Sequence, residues 1–149
     1  MVVRPAKGYL WNGTEWVKDE EVERLTLEQT KEAAVKLIND EAAKAYNSKT
    51  RFAEEYMIRE AEARAFKANN YEGDVPRQIL AFTLPSGMGV VQATDLIISQ
   101  ADAYREAINV IGELRMRAYE LKPLTKVFDV NEKAAQIVLA IRKVIANLD

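Results

Sequence analysis

The stretch that decides the fold is Arg51–Lys67, which reads RFAEEYMIREAEARAFK. Four apolar side chains recur in it at spacings of four, seven and three residues, which places them close to one line along an α-helix. We call these four residues the apolar seam: Phe52, Tyr56, Ala63 and Phe66. Charged residues flank the seam, including the acid-first pairs Glu55–Arg59 and Glu60–Arg64, which suit a solvated helix face. The stretch therefore predicts an amphipathic helix whose seam lies in the protein core.

The helical pattern extends upstream of this stretch. Thr26 and Gln29 have the spacing of a capping box, which predicts that the first long helix begins near residue 26. No proline or glycine occurs between Glu15 and Gly73, so a single helix over residues 26–68 is favoured, with a kink or division near residues 47–49 as the alternative. A single helix would span on the order of 60 Å, more than a domain of this size usually buries. Part of its apolar face would then need a further partner, such as a second copy.

A clear break follows this helical region. The stretch Asn69–Gly73 is rich in residues that tolerate the left-handed conformation found at helix ends. Asp74 is placed to cap a short helix over residues 76–84, in which a first-turn proline is tolerated. The stretch Leu84–Gly89 then predicts a turn between helices.

The rest of the chain returns to helix. Apolar residues at helical spacing predict a second long helix over residues 91–121. Gly112 lies inside it and lowers its helix propensity, which is best explained by close approach of a neighbouring helix. Asp129 and Glu132 form a second capping-box pattern ahead of a C-terminal amphipathic helix.

The N-terminal part of the chain has a different pattern. Asn12-Gly13 separates two short aromatic runs, and this dipeptide is typical of a two-residue type I′ hairpin turn. An isolated two-stranded hairpin needs hydrophobic support, so its aromatic side chains either pack on the protein's own helices or form a partner-binding surface. On alternate positions Tyr9 and Trp11 would share one face of the first strand, and Trp16 could join them from the second strand across the turn. The candidate partner-binding residues are Tyr9, Leu10, Trp11 and Trp16.

The predicted fold is therefore mainly α. A short N-terminal β-hairpin is followed by two long helices, one short helix and a C-terminal helix. We expect residues 1–24 to form a lead-in and the aromatic hairpin, with residues 1–8 flexible or extended, and residues 25–149 to form one α-helical domain.

The composition of the chain excludes several classes of function. The chain of 149 residues has no cysteine and no histidine, which removes thiol nucleophiles, Cys/His metal sites and the commonest general base. We therefore expect a non-enzymatic protein without cofactor or metal. The net charge of −2 gives no bulk attraction to nucleic acid or anionic lipid, and the longest aliphatic run, Ile137–Ile141, is too short for a membrane span. The N-terminus lacks an apolar signal-peptide core, which favours a cytoplasmic location.

A family resemblance rests on several motifs between residues 9 and 122. They are Trp11–Trp16, Leu37–Asp40, the block Arg59–Phe66, Val75-Pro76, Gly89-Val90 and Gly112–Arg115. In this pattern the chain resembles the helical region of bacteriophage tail fibre assembly chaperones and related tail-fibre-associated proteins. It departs from the pattern in lacking the usual proline ahead of the Arg59–Phe66 block.

The resemblance implies a non-enzymatic assembly factor for a phage or phage-like tail fibre. Such a protein would bind and shield the C-terminal tip of the fibre during trimer assembly in the host cytoplasm, through the hairpin residues named above. The alternative is a structural, coiled-coil-like homo-oligomer that stays in the virion or tail, with the apolar seam as its self-association surface. Neither nucleic acid nor membrane is an expected partner.

Overall fold

The computed structural model describes residues 3, 5 and 7–148, with the backbone alone at Ser48. It is 76% helical, with a short antiparallel hairpin followed by five α-helices, so the predicted mainly α fold is confirmed. Of the predicted lead-in over residues 1–8, residues 1, 2, 4 and 6 lie outside the described residues. The elements are β1 (Tyr9–Trp11), β2 (Trp16–Lys18), α1 (Glu20–Thr50), α2 (Ala53–Ala68), α3 (Arg77–Ser86), α4 (Val90–Met116), a 3₁₀ helix (Arg117–Leu121) and α5 (Val127–Ala146).

Helix α1 begins earlier than the sequence pattern predicts. Asp19 caps it, because its Oδ1 accepts the backbone N–H groups of Glu21 at 3.1 Å and Val22 at 3.4 Å. Acidic side chains in the first turn also complement the helix dipole. The predicted capping box at Thr26 is wrong, since the Thr26 hydroxyl lies inside the helix and donates to the carbonyl of Val22. A stronger cap seven residues upstream takes its place.

The prediction of one helix over residues 26–68 is also wrong. Helix α1 ends at Thr50 and α2 begins at Ala53, so the division lies just beyond the alternative break at residues 47–49. Phe52 takes a non-helical conformation with φ −120° and ψ 27°. The Thr50 hydroxyl donates to the carbonyl of Asn47 at 3.2 Å, and such local side-chain bonds compete with the helix ladder.

The link from α2 to α3 contains the predicted break, but its capping differs from the prediction. Asn70 and Tyr71 take positive φ values of 54° and 59°. Asp74 does not cap α3, whose N-cap residue is Pro76. The Glu62 carboxylate on α2 accepts the Gln78 N–H at 2.8 Å, so α2 supplies the acceptor for the first turn of α3.

The later helix ends also differ from the sequence prediction. Helix α3 runs past Pro85 and ends at Gly87, which has φ 70° and donates its N–H to the carbonyl of Thr83 at 2.9 Å. Helix α5 begins at Val127, so Asp129 stands in its first turn instead of preceding it, and the second predicted capping box is wrong. Beyond the two chain neighbours of Gly112 and the nearby backbone of its own helix, no described heavy atom lies within 4 Å of the position that a Cβ there would take, so the predicted close approach is wrong as well.

The chain forms two compact units. Unit 1 holds the described residues up to Ala42 together with Glu113–Arg142. Its buried apolar residues are Ala34, Ile38, Leu121, Val130, Ala134, Ile137, Val138 and Ile141, with Ala42 at its boundary. Unit 2 holds Ala43–Gly112 together with the described residues from Lys143 onward. Its main core cluster consists of Ala63, Phe66, Ile79, Ala93, Ile97 and Ile98.

The apolar seam is only half buried in unit 2. Ala63 and Phe66 belong to the core cluster, as predicted. Phe52 and Tyr56 are 51% and 38% exposed, so the expected burial of the whole seam is wrong. The reason is that α2 is covered through its C-terminal half, by residues of α3 and α4 such as Ile79.

No single helix among residues 3, 5 and 7–148 is long and apolar enough to cross a membrane. The pair Arg77–Ser86 and Val90–Leu121 meets the length and composition criteria only when taken together, and it is bent by 109°.

Candidate partner-binding site

The hairpin closes differently from the predicted two-residue turn. Trp11 stands opposite Trp16, so residues 12–15 connect the strands. The Asn12 side-chain oxygen accepts the N–H groups of Thr14 at 2.9 Å and Glu15 at 2.8 Å. Gly13 takes φ 101°, a region that favours glycine. Asn12 therefore closes the turn as an acceptor, and the Asn-Gly type I′ turn is wrong.

The two tryptophans lie side by side on one face of the hairpin. Their ring centroids are 5.5 Å apart with an interplanar angle of 59°. Aromatic pairs favour such tilted arrangements over face-to-face stacking. Trp11 is 45% exposed and Trp16 is half-buried. Tyr9 pairs with Lys18 on the same face. The predicted grouping of Tyr9, Trp11 and Trp16 on one face is confirmed.

The opposite face of the hairpin is also apolar. Leu10 pairs with Val17, and Leu10 is 54% exposed. Of the four predicted partner-binding residues, Leu10 and Trp11 are thus exposed, while Tyr9 and Trp16 are half-buried. Their contact with a partner stays a prediction.

The first turn of α1 anchors the base of the hairpin. The Asp19 N–H donates to the carbonyl of Gly8 at 2.7 Å, and the Lys18 ammonium lies 3.0 Å from the Glu23 carboxylate. The hydrogen bond that Lys18 donates to Glu23 raises the pKa of Lys18. Asp19 thus serves both elements, because its side chain caps α1 while its backbone closes the hairpin. This supplies the support that a two-stranded hairpin needs.

The Arg59–Phe66 block, which carries much of the family resemblance, has a structural role in unit 2. Glu60 on α2 accepts from Arg64 at 2.8 Å and from Arg105 on α4 at 2.9 Å. Arg64 in turn reaches Asp102 on α4 at 2.5 Å. The hydrogen bonds that Arg64 donates to Glu60 and Asp102 raise the pKa of Arg64. The block therefore joins α2 to α4 through charged groups.

A second polar contact joins the same two helices. Asp95 on α4 accepts from the Tyr71 hydroxyl at 2.5 Å and from the Lys67 ammonium at 3.0 Å. The Tyr71 hydrogen bond and then the Lys67 ammonium hold the pKa of Asp95 below its usual value. The Asp95 hydrogen bond also raises the pKa of Tyr71.

The sequence analysis missed one exposed apolar cluster at the start of α2. It consists of Phe52, Tyr56, Met57 and Ile58, and Met57 is 70% exposed. Cations lie over its rings, since Arg51 is 5.5 Å from the Phe52 centroid and Arg59 is 5.8 Å from that of Tyr56. Met57 and Ile58 follow Tyr56 directly and so lie off the line of the seam, and the run of three apolar residues Tyr56-Met57-Ile58 was the signal in the sequence.

Metal chemistry has no support in the described part of the chain. Among residues 3, 5 and 7–148, no group of three or more carboxylate, histidine or cysteine side chains is arranged to hold a metal ion.

Comparison with known proteins yields one informative similarity. The chain is 38% identical over 119 residues to an uncharacterized 23.3 kDa protein in the lys 3′ region of Haemophilus phage HP1 (strain HP1c1). The aligned part covers 80% of this chain and 60% of that protein, so the chain spans about three fifths of the relative's length. No protein-family model matches the chain, and no solved structure is significantly similar to it. The chain is thus a helical protein with a phage protein among its relatives.

Proposed function

We propose that this chain is a non-enzymatic assembly factor of a phage or phage-like particle, which binds and shields the C-terminal tip of a tail fibre while the trimer forms. The observation that carries the proposal is the anchored hairpin, which exposes Leu10 on one face and Trp11 on the other. The relative from a phage and the tail-fibre resemblance of the motifs supply the biological setting.

The hairpin offers two kinds of contact to an unfinished fibre. Strands β1 and β2 pair only with each other in their two-stranded sheet, so each leaves one edge that an extended segment can join. Trp11 supplies an exposed aromatic side chain beside that edge, and tryptophan is enriched among residues that dominate binding energy. Together they cover an apolar strand of the fibre tip, which prevents aggregation without ATP. The protein acts in the host cytoplasm during assembly.

Co-expression with the fibre encoded by the same phage genome tests the proposal. We expect a higher yield of soluble fibre trimer and a complex on size exclusion that a pull-down with the fibre's C-terminal region reproduces. The double variant Trp11→Ala/Trp16→Ala should weaken this complex. An unchanged fibre yield, with no complex formed, would sink the proposal.

A matched control separates binding from folding. Tyr119→Ala/Phe128→Ala removes two exposed aromatic side chains elsewhere in unit 1 and should leave fibre binding unchanged. Circular dichroism of both double variants must show wild-type helix content. A folded tryptophan variant that binds as well as the wild type would assign the hairpin aromatics to internal packing.

A second candidate is a structural homo-oligomer of the virion or tail. It is favoured by Val22 and Leu25, which follow each other at helical spacing on α1 and are both exposed. A second copy could cover this face. Light scattering that finds a monomer at micromolar concentration would argue against this candidate.

A further inference from the structure

Unit 2 contains a half-open cleft of about 470 Å³, and none of the hairpin residues lines it. The end of α1, the start of α2, helix α4 and the C-terminal residues Asn147 and Leu148 line it. Its floor is apolar and includes Ala53, Phe82, Ile97 and Ala101. A cleft of this size and lining suits a large apolar side chain with a few polar groups around it.

Of the three cations that line the cleft, Lys49 is the one placed to bind a ligand. Its ammonium lies 5.6 Å from the ring centroid of Tyr56 and 5.9 Å from that of Tyr104, so two aromatic walls hold it. Within the part of the chain that the structure describes, no ion pair joins Lys49 to a carboxylate. The other cations of the cleft are engaged, Arg59 by Glu55 and Arg105 by Glu60. Lys49 is thus the group that a ligand carboxylate would pair with.

The exposed apolar cluster continues the floor of the cleft to its rim. Tyr56 and Met57 belong both to the cluster and to the cleft lining, and Phe52 lies against Tyr56 with ring centroids 6.5 Å apart. A contiguous exposed apolar surface beside a cleft is typical of a binding site for another protein. The ligand must therefore bring apolar surface and one negative charge together.

We propose that this cleft binds a short segment of a partner protein in which a large aromatic or aliphatic side chain stands next to a carboxylate. The side chain fills the apolar floor between Ala53 and Ala101, and the carboxylate pairs with Lys49. Single-stranded nucleic acid is the less favoured occupant, because Glu55 and Glu60 already pair with two of the cations that line the cleft, Arg59 and Arg105. The site is separate from the hairpin, and its test does not depend on the tail-fibre proposal.

The probe is the peptide acetyl-Asp-Phe-Leu-amide, titrated into the full ¹⁵N-labelled chain and compared with its neutral counterpart acetyl-Asn-Phe-Leu-amide. We expect amide shift changes centred on Lys49, Ala53 and Tyr104. The acidic peptide should bind about three- to tenfold more tightly than the neutral one, the range for one partly shielded ion pair.

Matched variants test the two parts of the site. Lys49→Gln should abolish the preference for the acidic peptide, while Lys36→Gln on the same helix should retain it. Ala53→Phe fills the cleft and should block both peptides. Ala68→Phe, an exposed site on α2 outside the cleft, should not.

Three outcomes would overturn the proposal. The first is equal binding of the two peptides, and the second is a set of shift changes away from the cleft. The third is tighter binding of a single-stranded oligothymidylate, which would assign the cleft to nucleic acid. The Trp11→Ala variant should bind the acidic peptide normally, so failure here is distinguishable from failure of the hairpin hypothesis.

Discussion

Glu41 on α1 and Arg142 on α5 form a two-pronged ion pair within unit 1. The Arg142 Nε lies 3.0 Å from Glu41 Oε1, and its Nη2 donates to Oε2 at 3.3 Å. Glu41 is only 4% exposed, whereas the Arg142 side chain is mostly exposed. The hydrogen bond that Arg142 donates to Glu41 raises the pKa of Arg142. A buried carboxylate is thus held by a cation that enters from the surface.

Removal of the cation should cost more than removal of the whole pair. Arg142→Leu leaves the desolvated Glu41 carboxylate without its guanidinium, so we expect a clear fall in the thermal unfolding midpoint. Glu41→Leu/Arg142→Leu should recover most of that fall, because apolar side chains replace both charges. Thermal unfolding followed by circular dichroism checks this, and a double variant less stable than Arg142→Leu would contradict it.

The two phenylalanines of the apolar seam should differ strongly in their effect on stability. Phe66→Ala opens a cavity in the core of unit 2 and should lower the free energy of unfolding by about 3–5 kcal/mol. Phe52→Ala removes a half-exposed ring and should cost less than about 1 kcal/mol. Urea unfolding of both variants measures the difference. Equal losses would mean that the start of α2 is buried after all.

Two glycine substitutions should change stability in opposite directions. Gly112→Ala adds a methyl group in open space inside α4, so we expect a gain of about 0.5–1 kcal/mol. Gly87→Ala forces an alanine into the left-handed conformation that ends α3, so we expect a loss of about 1 kcal/mol. Chemical unfolding of the pair provides the test, and a destabilised Gly112→Ala would show that a neighbour approaches it.

Asp95 should contribute a pH-dependent part of the stability. Its folded pKa lies below the ordinary value of 3.8, so its contribution is present above pH 3.8 and is lost as the pH falls through the lower folded value. Tyr71→Phe removes the first cause of the shift and should move the Asp95 pKa up toward 3.8. Carbon-detected NMR titration of the side-chain carboxyl measures it. Tyr119→Phe, on an exposed tyrosine, serves as control and should leave that pKa unchanged.

The sequence predicted which regions of the chain are helical, but it did not predict where the helices end. Spacing of apolar residues located the helical regions, although it joined α1 and α2 into one helix, because burial of one face dominates helix stability in a folded chain. The capping pattern at Thr26 failed because Asp19 caps α1 further upstream, and in α3 the acceptor is Glu62, sixteen residues from Gln78. A cap supplied from another helix leaves no local sequence pattern.

The candidate sites show a similar division. The sequence correctly grouped Tyr9 and Trp11, because period-two alternation fixes which side chains share a strand face. The sequence could not tell that Phe52 is exposed and Phe66 buried, because both are phenylalanines and both lie on the same line along the predicted helix. Only the position of the neighbouring helices decides which of the two is covered. The cleft around Lys49 was unpredictable for the same reason, since Tyr104 is fifty-five residues away in the chain.

Glu60 pairs with two arginines, and this limits which substitutions relatives of this chain can carry at the three positions. One carboxylate serves both Arg64 and Arg105, and its side chain is only 14% exposed. Loss of the acid would leave Arg105 without this carboxylate and Arg64 with Asp102 alone, whereas loss of either arginine would still leave Glu60 a partner. We therefore expect position 60 to change only together with position 105, while positions 64 and 105 can each vary alone.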